Sequence, residues 1–311
     1  MYFRGSLLSK KVILILCTLV SIVGATKGGY KNYGMAYLVI PASAPSIASL
    51  SVFSQVAGDP GALFDNPAGT FSKELKLSFT HFFWFADVSG DNIVLSFPWK
   101  NRTIGFGVYN FRIPGIETRK LPTDEPDGIV ESSYLNVTAG FSQVILRRIL
   151  FGFSLKYLNE VLYDDISKGI SADVGLRTDI PGDMILGLLL KNPFFYSGGK
   201  FNDAYLPRMI KVGIIRPELF VGSPFIISFG LNLISELNTE ISGFQIGLKA
   251  VVFDRLQINT GFERIGEKTK KAFGFGFSLE KVEVFYSLLF LPEGLGTPKI
   301  LSININPELF F

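Results

Sequence analysis

The chain has 311 residues, 48% of them hydrophobic and only 18% charged, with a formal net charge of +3. So small and dispersed a charge, with no run of Lys and Arg beyond the N-terminus, excludes a nucleic-acid partner read from electrostatics. One histidine and one cysteine leave little material for acid–base catalysis or for a metal centre.

Residues 1–25 read as a signal peptide. Arg4, Lys10 and Lys11 precede the apolar run Val12 to Gly24, and Val23 and Ala25 place cleavage after Ala25. The run falls short of the ~20 apolar residues that a spanning helix needs. Cys17 lies inside it, so the exported chain would carry no cysteine and hence no disulfide or cysteine-based zinc or redox site.

Residues 26–73 show no alternation. They contain Pro41 to Pro45, then Ala57-Gly58-Asp59-Pro60-Gly61, then Asp65-Asn66-Pro67-Ala68-Gly69. Pro67 forces Asn66 toward extended geometry, the Asp65 and Asn66 side chains can bond nearby backbone, and Gly69 permits positive φ. A tight, pinned turn is expected. It is either an ordinary turn leading into the first strand or the anchor of a plug. Leu63, Phe64 and Phe71 around it are candidate contacts for a hydrophobic ligand, or plain packing.

From residue 74 to 311 the pattern changes to repeated period-two alternation in segments of about ten residues, the length a tilted strand needs to cross hydrocarbon. The longest uninterrupted apolar run is only Met184 to Leu190. Phe151, Phe153, Leu155 and Tyr157 alternate with Gly152, Ser154 and Lys156, and Phe273, Phe275 and Phe277 alternate with Gly274, Gly276 and Ser278. The second face is rich in Gly, Ser, Asn and Gln rather than in the Lys, Glu and Thr of a soluble sheet, which suits a crowded barrel interior. Lys156, Asp173, Arg177, Lys249 and Glu263 share that face and are expected in the lumen, because a charge at the lipid midplane costs about 2–4 kcal/mol.

Strands are expected at 74–84, 91–99, 102–112, 131–144, 148–162, 168–179, 184–192, 207–216, 225–235, 239–251, 255–264, 271–280, 281–291 and 299–311. The fold class is therefore an all-β, transmembrane, antiparallel β-barrel of about fourteen strands, with a short N-terminal hatch segment in the lumen. The longest connections, 113–130 and 193–206, read as extracellular loops, and Phe194, Phe195 and Tyr196 in the second are further candidate ligand contacts. Leu301, Ile303, Ile305, Leu309 and Phe311 share one face of a closing strand that ends in an aromatic. That ending resembles the signal read by the outer-membrane barrel assembly machinery, an expected partner beside the bilayer lipid.

Catalysis has no evident seat. His81 sits among Phe79, Phe82, Phe83, Trp84 and Phe85 with no paired Asp or Asn in view, and Asp164-Asp165 reads as a loop tip. Gly-Phe-Gly at 105–107 and 274–276 lies inside strands without a following helix, so neither is a phosphate loop. No enzyme activity, cofactor or metal is expected.

The Asn66-Pro67-Ala68-Gly69 element, preceded by a small-residue, Asp-containing stretch and followed at once by the first strand, resembles the N-terminal region of the FadL-like transporters, most of all their PorV/PorQ relatives. Gly152 to Glu160, Gly169 to Leu176, Gly187 and Asn192 are similar to that family's central hairpin, whereas Ser46 to Val56 replaces its usual Ala-rich segment. The resemblance covers most of 45–311. It implies a barrel of fourteen strands in the bacterial outer membrane with a lumenal hatch. FadL-type members pass hydrophobic molecules, which is the reading taken forward; PorV serves a type IX secretion system as a partner for exported cargo, which stands as the alternative.

Overall fold

The computed structural model describes residues 35–307 except 123, 147, 164, 199–205, 223 and 240. The expected signal peptide, Cys17, Asp164 and the terminal Phe311 lie outside the described residues. Fourteen antiparallel strands close on themselves in sequence order, with β1 (Lys76–Phe83) paired to β14 (Lys299–Ile305). Between them run β2 (Ser89–Trp99), β3 (Arg102–Thr118), β4 (Gly128–Leu146), β5 (Ile149–Leu162), β6 (Asp165–Ile180) and β7 (Met184–Gly198). The circuit continues through β8 (Met209–Gly222), β9 (Phe225–Glu236), β10 (Ser242–Val252), β11 (Leu256–Ile265), β12 (Lys268–Leu279) and β13 (Val282–Phe290).

Alternation assigns the two faces as the sequence suggested. Phe106, Leu155, Phe273, Phe275 and Phe277 are exposed on the outside, while Ser96, Ser142, Ser154, Ser171 and Ser302 are buried on the inside. An outer wall of exposed aromatic and aliphatic side chains is stable only against lipid.

Two connections are shorter than expected. β3 and β4 extend to Thr118 and from Gly128, leaving only 119–127 as their link. β7 continues through 193–198 where a loop was expected, so Phe194, Phe195 and Tyr196 belong to a strand. Asn192 turns into left-handed geometry at φ 50, and the β6–β7 register shifts between Ser171 and Asp173. The bulge absorbs Pro193, whose missing N–H then needs no ladder partner. Above Lys191, β7 pairs with β6 alone, since its β8 ladder ends at the Lys191–Met209 pair.

A belt of glycines lines the interior. Gly105 faces Gly140, Gly152 faces Gly175, Gly187 faces Gly213, and Gly230, Gly247 and Gly261 stand in one row. The strands are staggered. One row followed from Lys76 at the foot of β1 through Ser96, Gly105, Gly140, Ser154, Asp173 and Lys191 ends at Met209, the top of β8. From Gly140 to Gly152, from Gly175 to Gly187 and from Gly213 to Gly230 the belt steps back two residues, which offsets this climb and keeps the ring level.

Candidate functional site

The space opened by the glycine belt is filled by the chain's own N-terminal segment. It comprises a 3₁₀ turn at Ala36–Val39, helix α1 (Ala44–Ala48), helix α2 (Ala62–Asp65) and a second 3₁₀ turn at Pro67–Thr70. Both helices are too short to hold themselves by propensity, so their backbone is fixed by the wall around them. Ser43 caps α1 by accepting the Ser46 amide, with Pro45 in the first turn. The contact is intimate: a Cβ on Gly107 would come within 2.6 Å of the Phe64 ring, one on Gly140 within 2.9 Å of Leu63, and one on Gly152 would strike the Ala68 backbone nitrogen.

The expected pinned turn exists, with a different use for its glycine. Asn66 is extended at φ −151 and ψ 103, as Pro67 demands, and its side chain accepts the Ala68 amide at 3.2 Å. Gly69 does not adopt positive φ; it is required because a Cβ there would collide with the Ser54 carbonyl. Asp65 is buried and accepts the Ser46 hydroxyl at 2.5 Å, tying α1 to α2. Burial raises the Asp65 carboxyl above its ordinary range, against the pull of Lys191 and the Ser46 hydroxyl.

Polar side chains of the wall hold the segment by its backbone. Lys191 Nζ donates to the Phe64 carbonyl at 3.0 Å, Ser142 to the Ala68 carbonyl at 3.0 Å, Asn92 to the Ala42 carbonyl at 2.6 Å, and the Ala44 amide donates to Ser302 at 2.7 Å. Lys156 and Asp173 form a fully buried ion pair at 2.6 Å. The bulge residue Asn192 completes it, accepting from Lys156 and donating its amide to Asp173 at 2.9 Å. Glu263 is buried and accepts from Gln245 and from Lys270. Arg177 is half-buried on the same interior face and reaches Asp179, and Lys249 faces a cavity at the short-turn end of the barrel.

That cavity has a volume of about 520 Å³ and lies beneath α1 and the 51–60 stretch. Phe53, Val56, Val251 and Val282 line it together with Asp59 and Lys249. Asp59 is half-buried and capped by the Gly61 amide at 2.8 Å. Burial first, then the nearby Asp65 and Glu283 carboxylates, push it up to about 6 against the opposing Gly61 amide and Lys76.

At the opposite, long-loop end, seven rings cluster: Tyr37 and Phe64 from the inserted segment, and Phe82, Trp84, Tyr109, Phe111 and Tyr134 from or beside β1, β3 and β4. Sequence reading missed this cluster, because Tyr37 and the strand aromatics are far apart in the chain and the latter occupy the interior face that elsewhere carries Gly and Ser. Of the candidate ligand contacts, Leu63 and Phe64 are buried against the wall, Phe71 is half-buried and Phe194 is exposed on the barrel exterior; the Phe195 and Tyr196 side chains lie outside the described residues. His81 has a carboxylate partner after all. Asp91, its cross-strand neighbour, meets Nδ1 at 2.7 Å on the exposed outer surface.

No family model and no curated protein matches the chain. Solved structures do share its architecture. The deltaS2 mutant of the monoaromatic hydrocarbon channel TodX superimposes with a TM-score of 0.55 at 10% identity, covering 86% of this chain and 97% of the other. A Pseudomonas aeruginosa FadL homologue gives 0.53 at 9% identity, covering 90% and 100%, and the TodX deltaS2S3 mutant gives 0.54 at 11%, covering 84% and 96%. At such identities the likeness is one of fold. It is the fold of the TodX channel and of the FadL homologue, a closed antiparallel β-barrel.

Proposed function

We propose that the protein binds hydrophobic small molecules in the lumen of an outer-membrane barrel and passes them across, with residues 26–73, of which 35–73 are described, serving as the hatch. The observation that carries this reading is the cavity of about 520 Å³ directly beneath an otherwise filled lumen. Its size is that of a small-molecule site, and Phe53, Val56, Val251 and Val282 give it apolar patches among polar and charged groups such as Asp59, Glu74, Lys249 and Glu283. The TodX hydrocarbon channels and the FadL homologue support the same direction of inference. In this proposal Leu63, Phe64 and Phe71 meet the passenger when the hatch shifts, and Phe194, Phe195 and Tyr196 flank the β7 bulge on its route. Kinship to PorV/PorQ proteins, cleavage after Ala25 and reading of Phe311 by the assembly machinery belong to the same proposal.

The test is to purify the full-length barrel without lipid-like detergent, identify co-purifying molecules by mass spectrometry, and measure uptake of a hydrophobic dye into vesicles that contain it. Bound lipidic or hydrocarbon molecules together with protein-dependent uptake support passage. A sealed, ligand-free barrel whose long loops capture exported proteins would replace this reading with the secretion-partner role.

A further inference from the structure

Tyr37 occupies a place that a free aromatic molecule would suit. Its ring centroid lies 5.9 Å from Tyr109 at an edge-on 78°, 6.0 Å from Phe111 and 5.2 Å from Tyr134, within the spacing of favourable ring pairs. Phe82 extends the cage at 5.3 Å from Tyr109 and 5.4 Å from Phe111. All these partners except Tyr37 stand on barrel strands, so the cage persists when residues 35–40 are elsewhere.

Two features show that Tyr37 is a poorly matched occupant. The hydroxyls of Tyr37 and Tyr109 are both buried and have no hydrogen-bond partner among the described residues, whereas a buried tyrosine ordinarily finds one. Met35, which leads into the turn, is held in left-handed geometry at φ 52 and ψ 47 without being glycine.

The tether is weak as well. Among the described residues the backbone of 35–40 bonds only to itself, Leu38 to Met35 at 3.0 Å and Ile40 to Tyr37 at 2.9 Å. The first tie to the wall comes at Ala42, through Asn92. Among the described residues, moving 35–40 about that point therefore breaks no hydrogen bond to the barrel and costs only the burial of Met35, Tyr37 and Leu38.

We infer that the cage of Tyr109, Phe111, Tyr134 and Phe82 is a binding site for planar aromatic rings, and that Tyr37 holds it closed as an intramolecular stand-in. This rests on the reading of the lumen as a route for hydrophobic molecules and adds to it a ligand class and a gate. A ligand competes with a tethered group, so its apparent affinity is reduced by the fraction of time the cage is empty, and any change that empties the cage raises affinity without a new contact.

The test is equilibrium binding of labelled naphthalene and of decalin, its saturated counterpart, to the full-length protein in nanodiscs, with barrel-free nanodiscs as the blank and heat-modifiable gel mobility as the check of folding. Tyr37→Ala is expected to tighten naphthalene binding by about fivefold or more while leaving decalin near the wild-type value. Tyr37→Phe removes an unpartnered hydroxyl, seats the stand-in better and is expected to weaken naphthalene binding below wild type. In a Y37A background, Phe111→Leu is expected to abolish the gain for naphthalene alone. An equal gain for naphthalene and decalin overturns the aromatic site and leaves hydrophobic passage standing. No gain for either in a folded Y37A barrel assigns Tyr37 to the core and overturns the gate. Retention of neither compound by any variant counts against passage itself.

Discussion

A methyl group on Gly69 would fall on the Ser54 carbonyl oxygen, and this single clash defines how closely the inserted segment folds on itself. Gly69→Ala is expected to destabilise the seated segment by about 1–3 kcal/mol, the usual range for overpacking, and to expose it to limited proteolysis while the barrel stays protected. Unchanged protection would mean that the Ser54 turn yields freely. Asp59 makes a second residue-level prediction, in pH. Its carboxyl is raised to about 6 in the folded protein, above the ordinary carboxylate range near 3.8. The folded state therefore favours the protonated form. The stabilisation it contributes is complete below about pH 4 and is lost as pH rises through 6. Seating of the segment, read by hydrogen exchange at 51–61, is expected to be firmer at pH 5 than at pH 7.5. Asp59→Asn should flatten that difference, and a difference of the same size in the variant would place the titrating group elsewhere.

At the scale of elements, the bulge in β7 joins a turn of the backbone to a buried charge pair. Lys156 and Asp173 are both fully buried, and Asn192 bonds to each. Removing one partner strands the other, so Lys156→Met is expected to cost about 3–5 kcal/mol in urea unfolding from lipid, and Lys156→Met with Asp173→Leu to recover most of it. A double variant no more stable than the single one would show that the pair itself supplies the stability. The alternation of each strand, and with it which face meets lipid, was legible in the sequence because period two is a local signal. The β7 extension was not, since Pro193 reads as a breaker until the left-handed Asn192 beside it is seen to make room. The hatch turn was legible for the same local reason at Asn66 and Pro67. The role of Gly69, the Asp91 partner of His81 and the ring cluster around Tyr37 depend on neighbours remote in the chain, which no local pattern carries.

The whole molecule is a tube whose bore and stopper are matched. A glycine on each of nine consecutive strands, β3 to β11, stands in one level belt, and those glycines are close enough to the inserted segment that most side chains would evict it. Glycine weakens a strand, so a belt of this extent makes sense only if the space it opens is used. With the segment gone, the same belt would be the widest part of an open lumen lined by glycine, serine and asparagine. Deleting residues 35–70 is therefore expected to turn a barrel that excludes small sugars into one that admits them, read as arabinose-driven swelling of vesicles. Leu63→Ala with Phe64→Ala, which thins the stopper where it meets Gly107 and Gly140, is expected to leak to an intermediate degree while keeping the strand signature in circular dichroism. If both variants fold and neither swells vesicles faster than wild type, the seal lies in the long-loop end and the inserted segment only fills the bore.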